Sequence, residues 1–254
     1  MRRTNTEIIG SKVAAVNLAF WVMKIAATTL GETAGDLLSM TLNLGYVLSS
    51  VMLVTAFFVL LMLQISARRF HPVLFWSVVL ATSTAGTTIS DLLNRTLGLG
   101  YALGASLLAI CLAMILLGWR ISEGSISVST VNSRRTELFY WSAVLVSNTL
   151  GTALGDFLSD NSGLGFTGGA TLVGILILAT ALATRIRGIS TVMLFWIAFV
   201  LTRPFGATFG DLLTKPVENG GLDLGTIGSS LVLFSLLACL VTFSTFQRPM
   251  DRTH

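Results

Sequence analysis

The sequence predicts an all-α polytopic membrane protein, with eight transmembrane helices arranged as four parallel two-helix repeats and both termini cytoplasmic. Three observations carry this prediction: an apolar composition, eight helix-length apolar runs, and one motif written four times. Of 254 residues, 53% are hydrophobic and only 11% are charged, against roughly 25% charged in soluble domains. A water-soluble fold of this size could not hide so much apolar surface. That argues against a soluble enzyme, a disordered chain and a nucleic-acid binder.

Runs of about 20 apolar residues can cross a hydrocarbon core about 30 Å thick. Eight are present, at about 13–37, 46–67, 73–93, 99–119, 138–158, 165–184, 189–212 and 226–246. The first does not read as a cleaved signal, since its pattern recurs downstream and no small-residue cleavage site follows it. The longest connection, 120–137, is rich in Ser and reads as a flexible cytoplasmic loop. Residues 1–254 form a single membrane domain, with repeats at about 10–67, 68–122, 133–187 and 188–246.

Basic residues orient the chain. Arg2, Arg3, Lys12, Arg68, Arg69, Arg120, Arg134, Arg135, Arg185, Arg187, Arg248 and Arg252 fall on one side, and only Arg95 and Lys215 on the other. Lys24 and Arg203 lie inside apolar runs. The net charge of +4 therefore reports orientation and not nucleic-acid binding. Cys111 and Cys239 sit singly in apolar runs and read as packed thiols.

The repeat aligns without gaps on an aromatic–Trp pair: Phe20-Trp21, Phe75-Trp76, Tyr140-Trp141 and Phe195-Trp196. Ten residues after each Trp stands Gly31, Gly86, Gly151 or Gly206; fourteen after stands Gly35, Ser90, Gly155 or Gly210; fifteen after stands Asp36, Asp91, Asp156 or Asp211. A Leu-x-Gly-aromatic step opens the second helix in the first three repeats, at Leu44–Tyr46, Leu99–Tyr101 and Leu164–Phe166. The Trp spacings of 55, 65 and 55 indicate duplication of a pair, with the Ser-rich loop inserted between the pairs. Two helices per repeat mean that every repeat enters the membrane in the same direction, unlike the inverted repeats of many secondary transporters.

This motif resembles a bacterial family of integral membrane proteins built from four tandem two-helix repeats of unknown function. The resemblance covers residues 15–246. It implies the fold and a bacterial inner-membrane location, and no activity. Glu32-Thr-Ala-Gly-Asp36 also resembles the Glu-x-Gly-Asp signature of manganese/calcium–proton exchangers, with a spacing one residue longer and Glu in one repeat only.

The glycines read first as packing residues: Gly31, Gly35, Gly86, Gly151, Gly155, Gly206 and Gly210 let helix backbones approach closely. The Asp column is harder to place. A carboxylate inside a span costs about 2.5–3.5 kcal/mol even on the lenient insertion scale. Residues four apart share a helix face, and each Asp continues a stripe. The stripes are Lys24-Thr28-Glu32-Asp36, Val79-Ser83-Thr87-Asp91, Val144-Asn148-Thr152-Asp156 and Phe199-Arg203-Ala207-Asp211. Polar stripes of this kind fit the wall of a polar cavity.

The expectation is a transporter of a small solute, a divalent cation such as manganese, coupled to protons. Glu32, Asp36, Asp91, Asp156 and Asp211 bind the ion or carry protons, with Thr28, Asn148 and Thr152 on the same faces. Glu32, Asp36, Asp156 and Asp211 are the metal-ligand candidates, and Lys24 and Arg203 the counter-ions. Two alternatives stand beside it. Lys24 and Arg203 could bind an anionic or zwitterionic organic solute. Or the protein could be structural or regulatory, with Asp residues that end helices and ion pairs Lys24–Glu32 and Arg203–Asp211 that only fix register. No nucleophile–base pair, zinc spacing, phosphate loop or haem pattern is present, so no enzyme activity and no cofactor beyond a transported cation are expected. The expected partners are the lipid bilayer and the small solute or ion, with a homo-oligomer left open.

Overall fold

A computed structural model describes residues 12–67 and 69–247. Arg2, Arg3, Arg68, Arg248, Arg252 and both chain termini lie outside the described residues. The described residues form eight long helices: α1 (Leu18–Asp36), α2 (Gly45–Ser66), α3 (Pro72–Asp91), α4 (Tyr101–Glu123), α5 (Arg134–Asp156), α6 (Gly165–Ala183), α7 (Thr191–Thr214) and α8 (Thr226–Gln247). Six of them are long and apolar enough to cross a membrane. The two that fall short, α1 and α5, are the most polar: α1 carries Lys24, Glu32 and Asp36, and α5 carries Arg134, Arg135, Glu137 and Asp156.

Local sequence explains where the helices start. The odd helices open on side-chain caps, in which Asn17, His71, Ser133 and Ser190 accept the N–H of Phe20, Leu74, Thr136 and Met193. Ser133 and Thr136 form a reciprocal capping box. The even helices instead open from two left-handed residues flanking a Leu: Asn43 and Gly45, Gly98 and Gly100, Gly163 and Gly165, Asp223 and Gly225. Only Gly, Asn or Asp accept that conformation readily. The fourth repeat keeps this corner despite its longer loop, because Leu222 and Leu224 donate back to the carbonyls of Leu212 and Leu213 at the end of α7. The Ser-rich connection is shorter than the sequence reading of 120–137. Helix α4 extends to Glu123, α5 begins at Arg134, and a 3₁₀ turn at Val128–Thr130 lies between them. Val131 in this connection is fully buried and accepts the backbone N–H of Lys12.

The helices close into a ring. Helices α1, α3, α5 and α7 pack in a cycle, each against the next and α7 against α1. Each outer helix lies on the inner helix of the following repeat: α2 on α3, α4 on α5, α6 on α7 and α8 back on α1. The glycine pairs make the inner cycle possible. Gly31 and Gly35 abut Ser83 and Thr87, Gly86 abuts Asn148, Gly151 and Gly155 abut Arg203 and Ala207, and Gly206 and Gly210 abut Thr28 and Glu32. A Cβ at Gly206 would fall 2.6 Å from the Thr28 hydroxyl and 2.8 Å from its backbone carbon. Gly206→Val is therefore expected to lower stability by about 1–3 kcal/mol, the range for overpacking a tight core. Unfolding in mixed micelles measures this, and a wild-type midpoint would refute the close approach.

The ring is polar inside and apolar outside, the reverse of a water-soluble bundle. Lys24, Thr28, Ser83, Thr87, Asn148, Thr152 and Arg203 are each 0% exposed. Val51, Phe58, Ile110, Leu117, Ile175, Leu178, Leu231 and Val232 point outward.

Candidate functional site: a tiered polar axis

The axis of the inner ring is built in tiers, because the four repeats place equivalent residues at equivalent heights. The first tier, at the capped helix starts, is a closed aromatic collar. Each repeat's Phe or Tyr meets the Trp of the next: Phe20–Trp76 at 5.6 Å, Phe75–Trp141 at 5.5 Å, Tyr140–Trp196 at 6.4 Å and Phe195–Trp21 at 5.7 Å between ring centroids. The collar explains the recurring aromatic–Trp pair as packing around the axis.

The second tier holds Lys24. Its Nζ donates to Asn148 Oδ1 at 3.2 Å and lies 4.2 Å from the centre of the Phe199 ring. Asn148 in turn donates to the Thr82 hydroxyl at 2.9 Å. All four inner helices contribute to this contact. Among the described residues Lys24 forms no ion pair, and the reason is its height: Glu32 is eight residues further on, about 12 Å along the helix.

The third tier holds Arg203. Its guanidinium donates to Glu32 Oε2 at 2.9 Å, to the Thr28 carbonyl at 3.2 Å, to the Ser83 carbonyl at 3.4 Å and to the Thr87 hydroxyl. Thr87 also donates to Glu32 Oε2 at 3.3 Å. Arg203 pairs with Glu32 of the neighbouring helix α1, and not with Asp211 two turns along its own helix. Thr28 donates to backbone carbonyls, among them Thr202 of α7 at 3.1 Å, and Thr152 donates to the Asn148 carbonyl at 3.4 Å. The Thr28 hydroxyl ties α1 to α7 at the axis, whereas the Thr152 hydroxyl bonds within α5.

The fourth tier is the Asp column. Asp36, Asp91 and Asp156 are the last residues of α1, α3 and α5, yet none caps an end, because the backbone runs on into a π-helical turn at 37–41, 92–96 and 157–161. Such turns widen a helix locally and recur at functional sites. All four Asp residues are 2–4% exposed. They separate into two groups. Lys215 Nζ contacts Asp36 Oδ2 at 2.6 Å and Asp211 Oδ1 at 3.2 Å, joining α7 to α1. Arg95 contacts Asp91 at 2.8 Å, Asp156 at 3.7 Å and the more exposed Asp160 at 3.9 Å, joining α3 to α5.

Glu32, Asp36 and Asp211 form one buried cluster whose carboxylate oxygens lie within 4.8 Å of one another. Asp156, read from the sequence as a fourth metal-ligand candidate, stands apart from them with Arg95 and Asp91. In the first cluster three carboxylates face two cations, Arg203 and Lys215. In the second, Asp91 and Asp156 face Arg95. The first group thus holds one carboxylate more than its cations neutralise, and the second, with Asp160, two more; three hard oxygen donors of this kind suit a hard cation or a proton.

In the sequence Arg95 and Lys215 stand out only as the sparse charges on one side. The signal that finds them is visible afterwards: each stands four residues after an Asp, where the other two repeats carry Met40 and Asp160. Lys215 lies just beyond α7. Burial alone would lower its affinity for a proton, but Asp211 and Asp36 together hold its amine above the ordinary value. The Lys215 side chain is 23% exposed and that of Arg95 35%, so the cations stand between the buried carboxylates and the exterior.

Fold and site together define a class: a closed ring of four tandem helix-hairpin repeats around a charged axis. The family model for the Repeat of Unknown Function (DUF347) matches the chain four times, at residues 19–70, 74–125, 139–189 and 194–249. The chain belongs to that family. No curated protein and no solved structure matches it.

Proposed function

We propose that the protein is a multi-pass transporter of the bacterial inner membrane, with eight spans and cytoplasmic termini, that moves a small cation in exchange for protons. The observation that carries this reading is the Glu32–Asp36–Asp211 cluster, three buried carboxylates with only two cations among them. A divalent ion such as manganese supplies the missing positive charge with oxygen ligands, and a proton does so when the ion is gone. Helices α1 and α5 count as spans in this reading, because the other helices shield their polar faces from lipid.

Lys215 acts as the resident counter-ion at the mouth and withdraws as the cation arrives. The aromatic collar closes the opposite end, so the cation reaches the cluster from the side bearing Arg95 and Lys215. An anionic solute bound by Lys24 and Arg203 has weaker support, since Arg203 already donates to Glu32, Thr87, Ser83 and Thr28.

The test is manganese-driven quenching of a trapped dye in proteoliposomes, with a pH dye in parallel. The wild type is expected to move manganese inward and protons outward. Asp36→Asn is expected to abolish uptake, and Asp156→Asn to slow it. Unchanged uptake in both variants overturns the site, and a wild type that moves none of a panel of mono- and divalent cations overturns transport in favour of a structural role.

A further inference from the structure

The pseudo-fourfold ring carries an insertion where the connection between the second and third repeats is about ten residues longer than its counterparts. A groove of about 720 Å³ opens on the outer surface there, between α4 and α7. The counterpart positions α2/α5 and α8/α3 are bridged by direct helix contacts, and the smaller groove at α8/α3, about 290 Å³, has no basic residue on its wall.

The groove is graded along its length. At the loop end stand Arg120 in the last turn of α4, Ser125 in the connection, and Ser190 at the start of α7. Deeper along the helices the walls are apolar, formed by Leu116, Val200 and Leu201. From Ser190 to Leu201 is about 16 Å of helix. The loop wall is fixed, because Trp196 Nε1 donates to the Ile126 carbonyl at 3.0 Å. Glu123, in the last turn of α4 near this end, is paired with Arg135 at 3.4 Å. Arg120 is exposed and one of its nitrogens donates to the Gly124 carbonyl, which leaves the rest of its five donors free.

We propose that this groove is a binding site for one anionic glycerophospholipid. Its phosphate would be held by Arg120 and the hydroxyls of Ser125 and Ser190, and an acyl chain would lie along the Leu116–Val200 wall. The inference rests on the membrane reading given above. Arg120 shares its end of the molecule with Arg134, Arg135, Arg185 and Arg187, the charge that anionic headgroups of the cytoplasmic leaflet favour. An apolar wall beneath a guanidinium matches a lipid and not a free phosphate, which would use only the loop end.

Native mass spectrometry after exchange into matched phosphatidylglycerol or phosphatidylethanolamine micelles is the test. Retention of phosphatidylglycerol is expected to exceed that of phosphatidylethanolamine by about fivefold, the equivalent of one basic side chain near the surface. Arg120→Gln is expected to remove the preference and keep residual binding of both lipids. Val200→Trp fills the wall and is expected to reduce binding of both. Equal retention by the wild type, or a preference that survives Arg120→Gln, overturns the proposal. Saturation by inorganic phosphate alone assigns the site to a free anion and also overturns it, and a second copy of the chain in place of lipid does the same. Alkaline extraction of membranes separates the two readings: a protein that stays in the bilayer yet shows no preference fails only the groove, and one that is released fails both.

Discussion

Arg203→Met is expected to lower stability by about 3–5 kcal/mol, the range for removing one partner of a buried ion pair. Arg203 is 0% exposed and Glu32 3%, and their contact of 2.9 Å crosses from α7 to α1. Methionine fills similar volume but leaves Glu32 with only the Thr87 hydroxyl and removes the links from α7 to the carbonyls of Thr28 and Ser83. Glu32→Gln in the same chain is expected to restore most of the loss, since a neutral amide tolerates the site without a cation. A double-mutant cycle read by reversible unfolding in mixed micelles gives the coupling. A single-variant loss under about 1 kcal/mol would show that the pair does not hold the third tier together.

The second large effect concerns Lys215. If it stands in for the transported ion, Lys215→Met is expected to raise cation affinity by about 100-fold. A unit charge about 4 Å away is worth about 4 kcal/mol near a protein surface, and partial exposure of the amine removes some of that. The same variant is expected to transport slowly, because a tightly held ion leaves late. The pH dependence has a definite sign. The folded protein holds the Lys215 amine above its ordinary proton affinity, so its stabilising contribution is complete below about pH 10.4, the unfolded value, and fades only above it. Any pH dependence of transport between about pH 5 and 9 must therefore come from other groups and is expected to survive in Lys215→Met. Isothermal titration with manganese checks the affinity. Unchanged or weaker binding would remove Lys215 from the gate.

Much of this architecture is written in the chain. The Trp-to-Asp intervals place four equivalent residues at one height, and the stripes through Thr28, Ser83, Asn148 and Arg203 all turn toward the axis. What a stripe cannot say is which neighbour it meets. Arg203 and Asp211 share a face of α7, which suggests that they pair, yet in the ring each faces α1 of another repeat, where Glu32 and Asp36 stand. Lys24 and Glu32 share a face but not a height. The order of the outer helices was equally hidden. Sequence adjacency puts α2 beside α1, whereas the corner at Asn43–Gly45 carries it onto α3. A charge count by side registers Arg95 and Lys215 but ignores their distance from the Asp.

The return of α8 to α1 has one more consequence. Open repeat arrays unravel from their ends and need capping units. Here every repeat donates its second helix to the next, and the last donates to the first, so there is no end from which to fray and no repeat that can leave alone. Unfolding should be all-or-none across the whole ring. The same closure fits the paired spacing of the repeats. Two of them carry Arg95 and Lys215 at matching heights, each spanning to the following repeat. A chain half as long, with two repeats and one such cation, could have completed an identical ring as a symmetric homodimer before its gene was doubled.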